Sequence, residues 1–361
     1  MLYKRRQTYV NNEEIFIEGL INDVRITLIG VGGAGCNTVN RLLSSSLRNI
    51  RLVAANTDLQ HLEIVQAPIK LVLGKNTRKF RGAGGDPAKG REAAEESIDE
   101  IREVLKDSDI VFVCAGLGGG TGTGAGPLVA EVARELGAIT IGFVTLPFKF
   151  EGSVRKRVAI QGLEEMKRNC HTVIAIDNNK LLELYPHYSL KNAFALADEV
   201  ISNMILSIME SIVKPSLINI DYEDFKSIML RGNLAALGIG RSSTPNRAEE
   251  ATFSALENPL LDVSYEDLTG AIIHVTGGED MKISEAAKPA EIISQLMDED
   301  SLVIWGARID SSMDSTLQVA LILTGVKNKQ VEEQISKEKK LEEFDEEDWS
   351  RIMEELGVKS I

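Results

Sequence analysis

Cysteine is scarce: Cys36, Cys114 and Cys170 are the only three in 361 residues, and no two form a CxxC pair. Neither a disulfide framework nor a thiolate zinc site is suggested, and a reducing cytoplasm fits. Long apolar runs are also missing. The longest, such as Ile110–Leu117, reach about eight residues, against the roughly 18–20 that span a bilayer. Basic residues are outnumbered, with 40 Lys plus Arg against 54 Asp plus Glu and a net charge of −14. That balance argues against a general nucleic-acid surface. Lys4, Arg5 and Arg6 precede no apolar stretch, because Glu13, Glu14 and Glu18 interrupt it, so no signal peptide is expected. No GxxxxGK[ST] occurs, which excludes a P-loop. The four histidines, His61, His171, His187 and His274, are dispersed, and no catalytic His or Lys stands out.

What is present fits a two-domain globular chain. Short β-branched runs at Val24–Ile29, Leu52–Ala55, Lys70–Leu73, Ile110–Ala115, Ile139–Thr145 and Thr172–Ile176 alternate with amphipathic stretches such as Pro87–Leu105 and Gly152–Arg168. This alternation predicts an α/β doubly wound parallel sheet over 23–189, after an N-terminal extension at 1–22. Apolar residues at helical spacing, Leu196, Met204, Ile208 and Ile212 among them, predict a long buried helix over 190–213. A smaller α/β domain on a four-stranded sheet is expected over 214–326, from runs at Leu234–Gly240, Ala271–Thr276, Leu302–Arg308 and Gln318–Gly325. Its helices are expected near Arg247–Leu256 and Ile283–Met297.

The end of the chain changes character. Residues 331–361 carry 11 acids and 5 bases, so −6 of the −14 sits there. Residues 327–343 read as a charged linker. In 344–361, Phe344, Trp349, Ile352, Met353 and Leu356 fall on one helical face, with Gly357 as a stop. Two readings stay open for this amphipathic segment: it packs back on its own domain, or it is a tethered peptide for a partner groove.

Three glycine clusters carry the chemistry. Gly30, Gly32 and Gly35 satisfy GxGxxG after a strand and before a helix, which makes an anion site from backbone N–H groups and the helix dipole. Seven of the eleven residues Gly116–Gly126 are glycine; that points to positive φ or to close backbone approach to a ligand. Gly82, Gly84 and Gly85 precede Asp86 and Pro87, a plausible N-cap and first helical residue. Together the three loops could surround a polyphosphate, with backbone amides and a hydrated metal in place of a lysine.

Gly118–Gly124 resembles the signature loop of the tubulin/FtsZ superfamily. Gly30–Asn37, Asn56–Asp58, Gly82–Pro87, Pro147–Gly152, Asn178–Leu181 and Asn219–Asp224 sharpen the resemblance to the FtsZ family over about 24–326, and Thr145–Phe148 looks archaeal. The resemblance implies a tubulin/FtsZ-like fold, GTP and GDP as ligands with Mg²⁺, and head-to-tail filaments in a cytoplasmic mid-cell division ring. It assigns Gly33, Ala34, Gly35, Cys36, Asn37, Gly120, Thr121, Gly122 and Thr145 to nucleotide contact. It places Ala83 and Gly84 in the loop that senses the γ-phosphate, Glu151 and Arg155 at the ribose and sugar edge, and Asn178, Phe194 and Asp198 at guanine, and it counts Asp58 among the GTP-binding residues. Metal ligands stay unassigned.

Asp221 and Asp224 form the strongest carboxylate pair, three residues apart at a helix start. By themselves they are equally an N-cap and its third helical residue. The resemblance implies instead that they, with Asn219, enter the neighbouring subunit's site and activate water. Asp86, Asp177 and Tyr222-Glu223 depart from the usual family residues. The resemblance also implies that 344–361, which lacks the family's bacterial proline-containing ending, binds a SepF-like anchor or another division protein, with no direct membrane insertion and no nucleic acid. A nicotinamide-dependent oxidoreductase explains Gly30–Gly35 but not Gly116–Gly126. A filament GTPase for cell shape explains the same residues as one for division.

Overall fold

The computed structural model describes residues 8–10, 13–15, 24–43, 50–76, 81–184, 187, 189–213, 216–257, 263–264 and 267–328. The linker from 329 and the amphipathic segment 344–361 lie outside the described residues. In chain order, β1 (Thr8–Val10) and β2 (Glu13–Ile15) form a small antiparallel pair. Then come β3 (Ile26–Val31), α1 (Gly32–Leu42), β4 (Ile50–Asn56), α2 (Leu59–Ile64), β5 (Ile69–Val72), α3 (Pro87–Glu96), α4 (Ile98–Leu105) and β6 (Ile110–Gly116). They are followed by α5 (Gly120–Glu135), β7 (Ile139–Leu146), α6 (Ser153–Asn169), β8 (Thr172–Asp177), α7 (Asn178–Leu184), α8 (Leu190–Val213) and α9 (Tyr222–Met229). The remainder is β9 (Leu234–Ser242), α10 (Arg247–Leu256), β10 (Val263–Ser264), β11 (Gly270–Gly277), α11 (Ile283–Gln295), β12 (Leu302–Ile309), β13 (Leu317–Thr324) and β14 (Lys327–Asn328).

Strands β5-β4-β3-β6-β7-β8 lie side by side and all parallel. The order reverses between β3 and β6, and such a switch point is where doubly wound sheets bind ligands, beyond the C-terminal strand ends. Both glycine-rich segments follow these two strands. Successive residues face opposite cores. Leu28 and Phe112 join Cys36 and Val39 of α1 and Ile201, Ile205 and Ile208 of α8. Ile29 and Val113 join Ala93 of α3, Ile101 of α4, Val129 of α5 and Leu163 of α6. Burial on both faces explains why the strands read as continuous apolar runs.

The four strands expected in the C-terminal part form as neighbours, and they extend the parallel sheet. β12-β11-β13-β9 joins the parallel strands edge to edge, because β9 pairs with β8 at Val173–Leu234 and Ile174–Ala235, giving ten strands in one sheet. One face of this continuous sheet is covered by α8, whose core takes in Leu237, Ile272 and Ile322. The stretch Pro87–Leu105 is two helices. Ser97 leaves helical geometry at φ −103° and ψ 22°, and its hydroxyl accepts the Gly74 N–H at 3.1 Å.

The three cysteines are buried and free. Burial pushes the Cys36 thiol up to about 12 and raises Cys114 and Cys170 as well, which makes these thiols inert. No helix among the described residues is long and apolar enough to cross a membrane.

Candidate functional site

The glycine-rich segments are less loop than their composition suggests. Gly120–Gly126 is the first two turns of α5, and only Leu117–Gly119 separates it from β6. Within Gly116–Gly126 only Gly118 has positive φ, at 96°. The other glycines allow close backbone packing: a Cβ on Gly124 would sit 1.9 Å from the Pro87 carbonyl of α3. The third cluster is different, with φ of 75°, 62° and 80° at Gly82, Gly84 and Gly85.

Helices α1 and α5 begin side by side at the switch point. Their N-cap residues, Val31 and Gly119, offer no side-chain hydrogen bond, and neither first turn holds an acid. In contrast, Asp58, Asp86 and Asp221 cap α2, α3 and α9 with their carboxylates. Two uncapped N-termini leave several N–H donors unsatisfied and add two positive dipole ends, the backbone half of an anion site.

A cavity of about 280 Å³ opens there. It is lined by Gly33, Ala34, Gly120, Thr121, Gly122, Thr145, Glu151, Arg155, Asn178, Phe194 and Asp198, all singled out in the sequence. Gly116, Leu117, Gly119 and Pro147 also line it. These four were not assigned, although they lie within or beside the quoted motifs. Adjacency to a motif was the signal that could have found them.

Six other candidates do not line the cavity. Gly35 and Cys36 turn inward: a Cβ on Gly35 would lie 2.1 Å from the Cys114 carbonyl, and the Cys36 thiol donates to the Gly30 and Ala55 carbonyls at 3.6 Å. Asn37 is exposed on α1. Asp58 accepts the His61 N–H at 3.2 Å as the α2 cap. Ala83 is buried, 2.7 Å from where a Gly120 Cβ would be, and Gly84 is exposed beside it. Ala83 and Asp86 pack against Gly120 at the start of α5, whereas a Cβ on Gly84 or Gly85 would meet nothing within 4 Å.

At one end of the cavity Glu151 is fixed twice. Its Oε1 accepts the Phe148 N–H at 2.9 Å, and its Oε2 pairs with the Arg155 guanidinium. Thr121 and Thr57 hydroxyls share a hydrogen bond at 2.6 Å. At the other end, Phe194 is 42% exposed and meets the buried Phe148 edge to face at 5.0 Å. It is not a core residue, and it offers a ring to a planar ligand. The buried Asn178 Oδ1 has no hydrogen-bond partner among the described residues, so an acceptor waits in the lining. Burial lifts the Asp198 carboxyl to about 6, partly opposed by Arg41 at 3.8 Å. Asp177, the departure beside Asn178, is absorbed by the fold. It accepts the Asn179 N–H at 2.9 Å and side-chain amide at 2.6 Å, while Asn179 accepts the Lys149 N–H at 2.7 Å.

Asn219, Asp221 and Asp224 lie elsewhere. Asp221 caps α9 by accepting the Asp224 N–H at 2.7 Å, and Asn219 accepts the Ser216 N–H at 2.7 Å. The Tyr222 hydroxyl donates to the Asp109 carbonyl at 3.3 Å, just before β6 begins. The cavity begins where β6 ends. Seven strand residues at roughly 3.3 Å each separate the two places by about 20 Å. No group of three or more His, Cys, Asp or Glu among the described residues is placed to hold a metal.

Fold and site thus define a doubly wound α/β protein with two uncapped helix N-termini at the switch point of its sheet. Residues 25–186 match the family model described as "Tubulin/FtsZ family, GTPase domain", and residues 233–327 match "FtsZ family, C-terminal domain". The chain is 46% identical to cell division protein FtsZ 1 of Methanocaldococcus jannaschii over 84% of each chain. It is 42% identical to cell division protein FtsZ of Haloferax mediterranei over 91% of this chain and 89% of that one. The solved empty FtsZ dimer of M. jannaschii superposes with a TM-score of 0.79 and 46% identity, covering 84% of this chain and 88% of that one. The chain belongs to the FtsZ family of tubulin-like GTPases.

Proposed function

We propose that the cavity holds GTP, and that its hydrolysis is completed by Asp221 and Asp224 of the next subunit in a head-to-tail filament. The observation that carries this reading is spatial: the cavity and the acidic pair sit on opposite edges of one parallel sheet, about 20 Å apart by strand length. A single chain cannot close the two on one γ-phosphate. Stacked subunits can, and a heterologous contact of that kind extends without closing. Exposed apolar residues stand near both edges, Phe150 and Val154 beside the cavity and Leu217 and Ile218 beside Asn219.

In this reading the α1 and α5 N-termini bind the phosphates through Gly33, Ala34, Gly120, Thr121 and Gly122, with Thr145 beside them. Gly35, Cys36 and Asn37 contribute the α1 backbone. Ala83, braced on Gly120, and Gly84 beside it report the γ-phosphate, and Asp58 orders the adjoining α2 start. Glu151 and Arg155 hold the ribose. Phe194 covers the base, Asn178 takes a base N–H, and the Asp198 carboxylate accepts guanine N1–H and N2–H₂, a pair that adenine lacks. Asp221 and Asp224 orient the attacking water, with Asn219 shaping their loop.

Mg²⁺ suits this donor set as a phosphate-bound, largely hydrated ion, since Glu151 is held by Arg155 and Asp198 lies at the base end. When bound it would neutralise phosphate charge. We assign 23–189 to the GTP-binding domain, 190–213 to the central helix and 214–326 to the C-terminal domain. The chain then acts in the cytoplasmic mid-cell ring, tethered through 344–361 to a SepF-like anchor. The test is Asp224→Ala. It should bind GTP and assemble like the parent chain, with turnover lowered at least tenfold. Parental turnover at full assembly would remove Asp224 from the mechanism.

A further inference from the structure

A second cavity, about 460 Å³, lies at the opposite end of the strands from the nucleotide cavity. It is lined by Arg134, Lys167, Arg168, His171, Leu230 and Asn233, with Glu164 and Cys170. Its position follows from the strands: His171 immediately precedes β8 and Asn233 immediately precedes β9. This is the N-terminal strand edge, which also carries α9 and Asp221.

The lining is rich in donors. The Arg134 guanidinium donates to the Arg168 backbone carbonyl at 2.7 Å, and no carboxylate pairs with Arg134 or Arg168 among the described residues. His171 Nδ1 accepts the Thr140 N–H at 3.0 Å, which leaves Nε2–H as the donor. Burial and Arg134 hold that imidazole below its ordinary range, so it stays neutral. Glu164 is the one acid, and it pairs with Lys167 at 2.9 Å. At the rim, Leu230 is 53% exposed. Such a surface fits a peptide that is acidic and carries apolar side chains.

The chain itself holds one. Glu342, Glu343, Asp345, Glu346, Glu347 and Asp348 surround and follow Phe344, and Trp349 comes next. The exit point favours it. The Gly325 N–H donates to the Leu234 carbonyl at 3.1 Å, one residue from cavity-lining Asn233. The described chain ends at Asn328. Fourteen residues lead from there to Glu342, a length that can reach at most about 45–50 Å, enough to return.

We infer that the acidic segment 342–349 docks in cis on the Arg134–Lys167–Arg168 cavity of its own chain. Docking takes the packed-back option for this amphipathic segment and makes it reversible. A partner that captures 344–361 frees the cavity. Because the cavity shares an edge with Asp221, the docked segment also obstructs assembly; that consequence rests on the head-to-tail reading, whereas docking does not.

The test is carbodiimide cross-linking of the full-length chain with GDP, at concentrations below assembly, followed by peptide mass spectrometry. The Glu164–Lys167 amide serves as the internal reference. Lys167 should also couple to a carboxylate within 342–348, and in a mixture of ¹⁴N and ¹⁵N chains the linked peptides should carry one isotope only. Arg134→Glu with Arg168→Glu should lower that product at least tenfold, leaving GTP affinity and the reference amide unchanged. Raising salt from 0.05 to 0.5 M should lower it at least fivefold, as screening requires. Absence of the product, equal coupling to lysines across the surface, mixed isotopes, or indifference to the arginine changes would each overturn the inference. If the inference holds, assembly by the double variant should begin at a lower concentration. An unchanged threshold with the cross-link lost would overturn the head-to-tail consequence and leave docking standing.

Discussion

Replacing Asp198 with Asn should move stability and GTP affinity in opposite directions. The Asp198 side chain is 17% exposed, and burial raises its carboxyl from 3.8 to about 6. Its ionised form is therefore destabilising in the empty site. The shift corresponds to about 3 kcal/mol at neutral pH, at roughly 1.4 kcal/mol per unit. Since the folded value is raised, this penalty is full above about pH 6 and vanishes as pH falls toward 4. The nucleotide-free Asn variant should melt higher than the parent at pH 7.5, and the gap should close by pH 4. Binding goes the other way. Two hydrogen bonds to a charged acceptor contribute about 1.5–3 kcal/mol each, and the Asn amide presents a donor where guanine N2 also donates. GTP affinity should fall at least a hundredfold. Xanthine carries an oxygen at C2, which the Asn amide can serve, so the variant should prefer XTP. In the parent, GTP affinity should weaken below pH 6 as the carboxyl protonates. Thermal melts and calorimetric titrations with both nucleotides read all of this. A variant that binds GTP within threefold of the parent would refute the placement of guanine at Asp198.

Three further outcomes follow from packing. Gly124→Ala drives a Cβ to 1.9 Å from the Pro87 carbonyl and 2.7 Å from the Arg91 nitrogen; between two backbones the cost should be about 3 kcal/mol, seen in urea melts. Gly33→Ala meets nothing within 4 Å and should change stability by less than about 0.5 kcal/mol, so any loss of phosphate affinity there reports on the site alone. Arg247, with a side chain 7% exposed, pairs with Glu285 at 2.7 Å and Asp280 at 2.8 Å and holds the Glu285 carboxyl down at about 2. That stabilisation is present above about pH 4.5 and is lost as pH falls toward 2; Arg247→Ala should be less stable at pH 7 and lack that part of the acid transition in circular dichroism.

Much of this was legible because the physics is local. A strand buried on both faces has few ways to be written other than as a β-branched apolar run, and Asp86-Pro87 announces a helix start. Two kinds of feature were not legible. Composition does not say whether a glycine serves a ligand or a neighbouring backbone; Gly124 and Gly35 needed coordinates to be read as packing residues, while Gly33 faces the cavity. Nor does it show long-range edge pairing. The two-residue contact of β8 with β9 joins the sheets, and nothing in Val173-Ile174 or Leu234-Ala235 specifies a partner. The pair Asp221 and Asp224 shows a third limit. The cap is real, with the Asp224 N–H on Asp221 at 2.7 Å, and a cap is compatible with a second task across a subunit boundary. Only the distance from the cavity separates a task within one chain from a task between chains.

The measurement that tests this account most directly is GTP turnover against protein concentration, with light scattering followed in the same samples. A site completed by its neighbour predicts a threshold, above which turnover per subunit and scattering rise together. Constant turnover per subunit with no scattering would mean that one chain hydrolyses GTP alone, and the roles of Asp221 and Asp224 would have to be abandoned.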